Sequence, residues 1–353
     1  MNSRLRGKLA KASSKIEDKL FHLKHKMEAN SILSSIEKER GKTNPTLIKN
    51  SKEYAVEILG WSGYSPWLEV YSAIAGTFKE GWIPDNYYRK VVMPRVKSGY
   101  GETSVLKPMS KLIYGNSSAF PDIGYYVNGL FYNSDYHVIH EESIKKLLFE
   151  KTDRIIFKLD SSLQGKGVFI FTKENFDSSV IKKYGNGVFQ SFLTQHSKLS
   201  MFAKNSVATI RVTSIINNEG KCEPRACYLR LGQGSDTHVQ SKSHIRVPVD
   251  TLTGQLGDIA YTTNWHQIRK HPTSLVDFAG NSIPNYDECV NVIKEIHESL
   301  PFTRCVGWDA CITDDGEVKI MEWNGKHNDI KFSEATQGPI FSGLNWQNLW
   351  KSR

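Results

Sequence analysis

The chain has 353 residues, 39% hydrophobic and 11% aromatic content, and a formal charge of +9, enough apolar material for two or three packed lobes and too much for wholesale disorder. No run approaches the roughly 18 apolar residues of a membrane span, and the N-terminus lacks a signal-peptide apolar region. Five cysteines with no CxxC pair argue against a disulfide or zinc framework and for a reducing cytoplasm.

The charge sits unevenly. In the first 26 residues Arg4, Arg6, Lys8, Lys11, Lys15, Lys19, Lys24 and Lys26 face only Glu17 and Asp18, giving +6 there and +3 for the remainder. Leu5, Leu9, Ile16, Leu20, Leu23 and Met27 recur at helical spacing, so this lead reads as a basic amphipathic helix. Either it touches anionic lipid or an acidic partner through residues 1–27, or it packs on its own domain or is loosely ordered. The mild charge elsewhere excludes a nucleic-acid binder.

Gly41 to Pro45 mark a break, and from 46 to about 105 dense aromatics fall in helical patterns. Asn128-Gly129 inside IGYYVNGLFYN signals a hairpin, and ESIKKLLFE reads as a helix. RIIFK and VFIF then read as strands on either side of a loop with Gly165, Lys166 and Gly167 at its tip. A phosphate-binding P-loop or a dinucleotide fingerprint would need other glycine spacings and a following helix, so neither fits. Beyond 187 the strands VFQSFL, SVATIRVTSII, ACYLRLG and IRVPVD precede one clear helix, YDECVNVIKEIHESL. VGWDACIT and EVKIMEWN close the series. The fold class is α+β with antiparallel sheet.

The last two strands flank Asp315-Gly316. Counting back from that turn puts Asp309 directly opposite Glu322, with Asn324 on the same face. Like charges opposed in a sheet destabilise it, so a cation is expected between them. Two carboxylates and an amide oxygen are hard ligands that suit Mg²⁺. The alternative is that the acids are solvated or paired with Lys319 or Lys326, although Lys319 alternates to the opposite face.

A protein kinase would need its catalytic and metal-binding loops, which are absent. In order and spacing, Lys111 in MSKLIYG, FKLDSSLQGKGVFIF, VFQSFLTQHSKLS, SVATIRVTS, HPTSLVDFAGNSIP and VGWDACITDDGEVKIMEWN resemble the ATP-grasp superfamily across roughly 105–345. The likeness is nearest to its sugar-transfer-associated branch, bacterial proteins linked to surface polysaccharide such as capsule or O-antigen. The resemblance implies two α+β lobes sandwiching a nucleotide behind a helical extension. The expected division is 1–104 helical, 105–187 first lobe with a glycine-rich lid hairpin, and 188–353 second lobe with the magnesium site.

It further implies that Lys111 and Lys158 reach ATP phosphates under a lid of Gly165, Lys166 and Gly167. Gln190, Ser191, Phe192 and Leu193 would form an interlobe hinge reading adenine, and His196 or Lys198 would reach the ribose. Asp309, Glu322 and Asn324 would hold Mg²⁺. Arg211, then Arg230, would stabilise the transferred phosphoryl group, with Lys326 where the superfamily often has arginine. The chain departs from the superfamily at Lys158-Leu159-Asp160, where Lys-Pro is expected, and in DTHVQSKSHIRVPVD, which leaves the acceptor open. The implied activity is a cytoplasmic, Mg-ATP-dependent carboxylate–amine ligase working through an acyl-phosphate on a sugar or glycan, peripheral at the inner membrane through its basic lead. Two rivals stand beside it: a kinase of a sugar or small molecule on the same fold, and a nucleotide-binding scaffold for a glycosyltransferase.

Overall fold

The computed structural model describes residues 3–115, 117–160, 162, 167–234 and 243–351, with the side chains of 3–12 left aside. The chain divides into two compact units. One combines 1–95, 264–266 and 329–353; the other combines 96–263 and 267–328.

The first unit is helical. Helix α1 (Ser3–Arg40) stops at Gly41, whose φ of +87° suits glycine in a helix-ending position. Asn44 then caps α2 (Pro45–Glu57) by accepting from Thr46 N at 2.9 Å, with Pro45 in the first turn. α3 (Ser65–Ala75) packs on both helices. Its core is aromatic: Trp67, Trp82, Tyr71, Tyr87 and Tyr88 are fully buried. The C-terminal segment joins this core. Trp82 Nε1 donates to Glu334 O at 2.8 Å, Tyr88 stacks on Phe341, and Tyr87 donates to Trp346 O. The expected 188–353 lobe therefore loses its last 25 residues to the N-terminal unit, because the tail's aromatics share that unit's core.

The second unit holds two antiparallel sheets. One is built from β1 (Asp122–Val127), β2 (Leu130–Asn133), β3 (Val138–Ile139), β4 (Arg154–Leu159), β5 (Val168–Thr172) and β6 (Gly187–Ser191), in the order β3-β2-β1-β6-β4-β5. Asn128 and Gly129, both at positive φ, turn β1 into β2 as their sequence promised. β4 and β5 form the expected hairpin. β6 lies between β1 and β4, so the boundary expected at 187/188 falls at the start of a central strand of this sheet rather than between lobes. Phe131, Ile144, Leu148, Ile155, Phe157, Phe176 and Phe189 fill its core.

The other sheet contains β7 (Thr209–Ile216), β8 (Cys222–Leu231), β9 (Ile245–Val249), β10 (Ala260–Tyr261), β11 (Gln267–Ile268), β12 (Cys305–Ile312) and β13 (Val318–Asn324). Its order is β11-β10-β9-β8-β7-β12-β13. The helix Tyr286–Ser299 covers one face, where Ile210, Val212, Leu229, Val247, Ile293, Trp308 and Trp323 are buried. The other face carries the charges.

Candidate functional site

Asp309 does lie opposite Glu322, by a different route from the simple count. The turn holds three residues, 314–316, closed by Thr313 N to Glu317 O at 2.9 Å, with Gly316 at φ +88°. That slips the register by one. A β-bulge at Met321 restores it, so Ala310 pairs with Ile320 while Asp309 pairs with Glu322. The bulge also frees Met321 O, which accepts from Lys158 Nζ of β4 at 3.1 Å. A strand irregularity thus joins the second sheet to the first.

Asp309 is neutralised by arginines. Arg211 is its direct partner on β7, and Arg230 comes from β8. Arg211 Nε and Nη2 donate to the two carboxylate oxygens at 2.5 and 2.9 Å, and Arg230 Nη2 reaches Oδ2 at 2.7 Å. Burial alone would raise the Asp309 pKa, yet the two guanidinium charges outweigh it and hold the carboxyl at about 2. The cation expected between the opposed acids is therefore guanidinium for Asp309, because β7 brings Arg211 alongside. The same face carries Arg246, opposite Arg230 on β9.

Arg211 is held in turn by Asn328, a fully buried residue whose carbonyl accepts from Nη1 at 3.4 Å. Asn328 Oδ1 accepts from Lys97 Nζ at 2.8 Å, and burial pushes Lys97 down to about 8. Gly307 makes room for this, since a Cβ there would sit 2.8 Å from Asn328 Cβ. Neither Lys97 nor Asn328 carried a sequence signal, because their neighbours are distant in the chain.

Glu322 stands differently. Its carboxylate is about a third exposed and faces Lys107 Nζ at 3.4 Å. Lys107 and Lys158 line a narrow, solvent-open cleft with Ser104, Ser110, Phe120, Val188, Gln190, Met321 and Glu322. Burial lowers the Lys158 pKa, with Glu322 opposing that shift. Asp160, in the departure from Lys-Pro, accepts from Lys107 N at 2.9 Å and fixes that lysine's backbone.

The other expected residues are distributed as follows. Lys111 is turned to Ser134 O at 3.2 Å, leaving Lys107, four residues earlier, in the cleft. Gly165 and Lys166 lie outside the described residues. Gly167 O accepts from Leu159 N at 2.9 Å, and a Cβ at Gly167 would meet Ser162 at 2.5 Å. Gln190 lines the cleft but gives its amide to Asp122 Oδ1 at 2.8 Å. The backbones of Gln190 and Ser191 are paired within the sheet, with neighbours on both sides, which takes them out of an adenine-reading role. Phe192 follows the strand with the Arg154 guanidinium 4.1 Å from its ring centre, and Leu193 is half-buried. His196 caps the short helix Ser197–Ser200 through Nδ1, accepting from Lys198 N at 3.1 Å. Asn324 Nδ2 donates to Gly307 O at 3.1 Å. Lys326 pairs with Glu102 at 2.7 Å, both of them exposed.

Asp122 is a residue the sequence reading passed over. Burial raises its pKa to about 6, against the pull of Gln190 and Lys158.

The donor set suits phosphate: two lysines and a carboxylate converge on one cleft, beside a face rich in guanidinium. Among the described residues no three His, Cys, Asp or Glu gather as a metal cage. That is compatible with Mg²⁺ held by one carboxylate and a substrate's phosphates, since magnesium seldom uses an all-protein cage. Glu322 and Asn324 would serve as its ligands, with Asp309 committed to the arginines.

Residues 177–344 match the family described as sugar-transfer associated ATP-grasp. No curated protein matches the chain. Among solved structures, it is similar to the ATP-grasp ligase PsnB with its minimal precursor, at 12% identity over 67% of this chain and 57% of that one, TM-score 0.39. The ADP complex of N5-carboxyaminoimidazole ribonucleotide synthetase is 11% identical over 78% and 62%, TM-score 0.43. D-alanyl-alanine synthetase A of Vibrio cholerae is 12% identical over 70% and 66%, TM-score 0.43. The chain thus spans less than two thirds of each of these proteins. No helix among the described residues is long and apolar enough to cross a membrane.

Proposed function

We propose that this chain, an ATP-grasp protein resembling the sugar-transfer associated branch, is a Mg-ATP-dependent ligase that joins a carboxylate to an amine on a sugar or glycan in surface-polysaccharide assembly. The observation that carries the reading is the convergence of Lys107, Lys158 and Glu322 on one cleft, beside the Asp309–Arg211–Arg230 cluster. ATP, when bound, would supply the γ-phosphoryl group that converts a carboxylate into an acyl-phosphate with ADP leaving, and an amine would then attack the acyl carbon and displace inorganic phosphate.

The chain's own residues supply charge and position. Lys107 and Lys158 would neutralise phosphate oxygens in the cleft, where partial burial strengthens each interaction. Glu322 and Asn324 would orient the Mg²⁺ on those phosphates. Arg230, partly exposed and fixed by Asp309 on β12, would offer positive charge to the anionic acceptor and its activated form, with the buried Arg211 holding the cluster rigid behind it. Such preorganised charge costs no rearrangement during reaction. No side-chain nucleophile is required, since the acceptor carboxylate itself attacks phosphorus.

The test is incubation of the full chain with Mg-ATP, uronic acids and a panel of amines or amino acids. Products are followed by mass and ADP by coupled assay. ADP release that needs both a carboxylate and an amine, with an amide product, supports the ligase. A stable phosphorylated product without any amine requirement would replace it with the kinase reading. Tight ATP binding without turnover on any pair would favour a scaffold.

A further inference from the structure

The exposed side of α1 carries an apolar stripe that nothing among the described residues covers. Ile16, Leu20, Leu23 and Met27 are 59, 60, 53 and 65% exposed. At about 100° per residue they fall within roughly 60° of one another on the helix surface. The opposite face, with His25, Ala29 and Ile36, is the one buried in the helical unit, where Trp67 Nε1 donates to His25 Nδ1 at 3.1 Å. The helix is therefore anchored by one face and leaves a second apolar face in water.

Charge tells what that second face fits. Lys15, Lys19 and Lys26 border the stripe on one side and Lys24 on the other, all exposed. Of the three nearby acids, Glu17 accepts from Ser13, Asp18 lies toward the packed side, paired with Lys90, and Glu28 is paired with Lys331. An apolar stripe between lysines matches the boundary of an anionic bilayer. There the leucines enter the acyl region while the lysine stems snorkel to headgroup phosphates. A second copy of this stripe is a poorer fit, because like-charged lysines would oppose one another across a self-dimer.

We infer that the Ile16–Leu20–Leu23–Met27 face of α1 is a docking surface for anionic membrane, holding the protein peripherally at the bilayer. The experiment is flotation of the full chain with phosphatidylcholine vesicles with and without phosphatidylglycerol, at low and high salt, alongside sedimentation of the lipid-free protein. Binding should require the anionic lipid and weaken with salt. Leu20→Asp/Leu23→Asp should lower vesicle affinity at least about ten-fold. Lys19→Gln and Lys24→Gln should each lower it about five-fold. Because these side chains are exposed, all variants should keep the wild-type circular dichroism and melting temperature. Absence of binding to anionic vesicles by folded wild type overturns the inference. So does a lipid-free dimer that the Leu→Asp pair converts to monomer without altering vesicle binding, since the face then belongs to a second copy.

Discussion

Two acids face each other across β12 and β13, and their surroundings separate them. Asp309 is buried and gripped by Arg211 and Arg230; Glu322, on the outer strand, is a third exposed with Lys107 at 3.4 Å. β12 has sheet neighbours on both sides, so an arginine can stand directly opposite Asp309. β13 ends its sheet, and the side chain of Glu322 meets Lys107 of a short helical stretch in a cleft that Lys158 of β4 also lines. Position in the sheet thus divides one motif into a structural keystone and a site that can take a ligand.

The sharpest way to break this division is Asp309→Ala. It strands two guanidiniums in a largely buried setting and should cost about 3–5 kcal/mol, read from urea unfolding. Glu322→Gln should change stability by under about 1 kcal/mol, because its pair with Lys107 is partly solvated. Its effect should fall instead on Mg²⁺-dependent nucleotide affinity. Equal stability losses at the two positions would contradict the comparison.

Asp122 and Asp309 should have opposite pH signatures. Asp309, with its folded pKa depressed to about 2, contributes stability that is present above about pH 4 and is lost as pH falls toward 2. Asp122, with its folded pKa raised to about 6, contributes stability that is present below about pH 4 and is lost as pH rises through 6. Asp122→Asn should therefore gain stability relative to wild type between pH 4 and 6, by about 1–3 kcal/mol. A flat difference between the two proteins over that window would remove Asp122 from the account.

The smallest effect distinguishes the two lysines of the short helical stretch. Lys107→Met should weaken ATP binding about ten-fold, whereas Lys111→Met, turned to Ser134 O, should change it less than about three-fold. The reverse order would mean the side chains exchange places on binding.

Much of this was legible in the sequence. Asn128-Gly129 and the β4–β5 hairpin followed from turn chemistry and period-two alternation, while the Asp309–Glu322 pairing came out of the count only because two one-residue slips cancel. The opposed acids also announced that a cation was needed. Its identity was not legible, because Arg211 lies 98 residues from Asp309 and only the strand order brings them together. The compensating turn and bulge at Met321 were equally hidden, since a one-residue slip at the tip and another in the strand cancel in the count. Lys107 was missed beside Lys111 because a helical stretch displays both, and only tertiary packing selects one. The tail's place in the N-terminal unit was hidden for the same reason: aromatic composition predicts burial without naming the core that receives it.

The central claim is that the Lys107–Lys158–Glu322 cleft binds nucleotide phosphates with Mg²⁺. Calorimetric titration of ATP into wild type and Glu322→Gln, with and without Mg²⁺, tests it most directly. The account predicts Mg²⁺-dependent binding to wild type, weakened at least about ten-fold by the substitution while the melting temperature holds. Absence of ATP binding by folded wild type, or binding indifferent to both Mg²⁺ and Glu322, would contradict it.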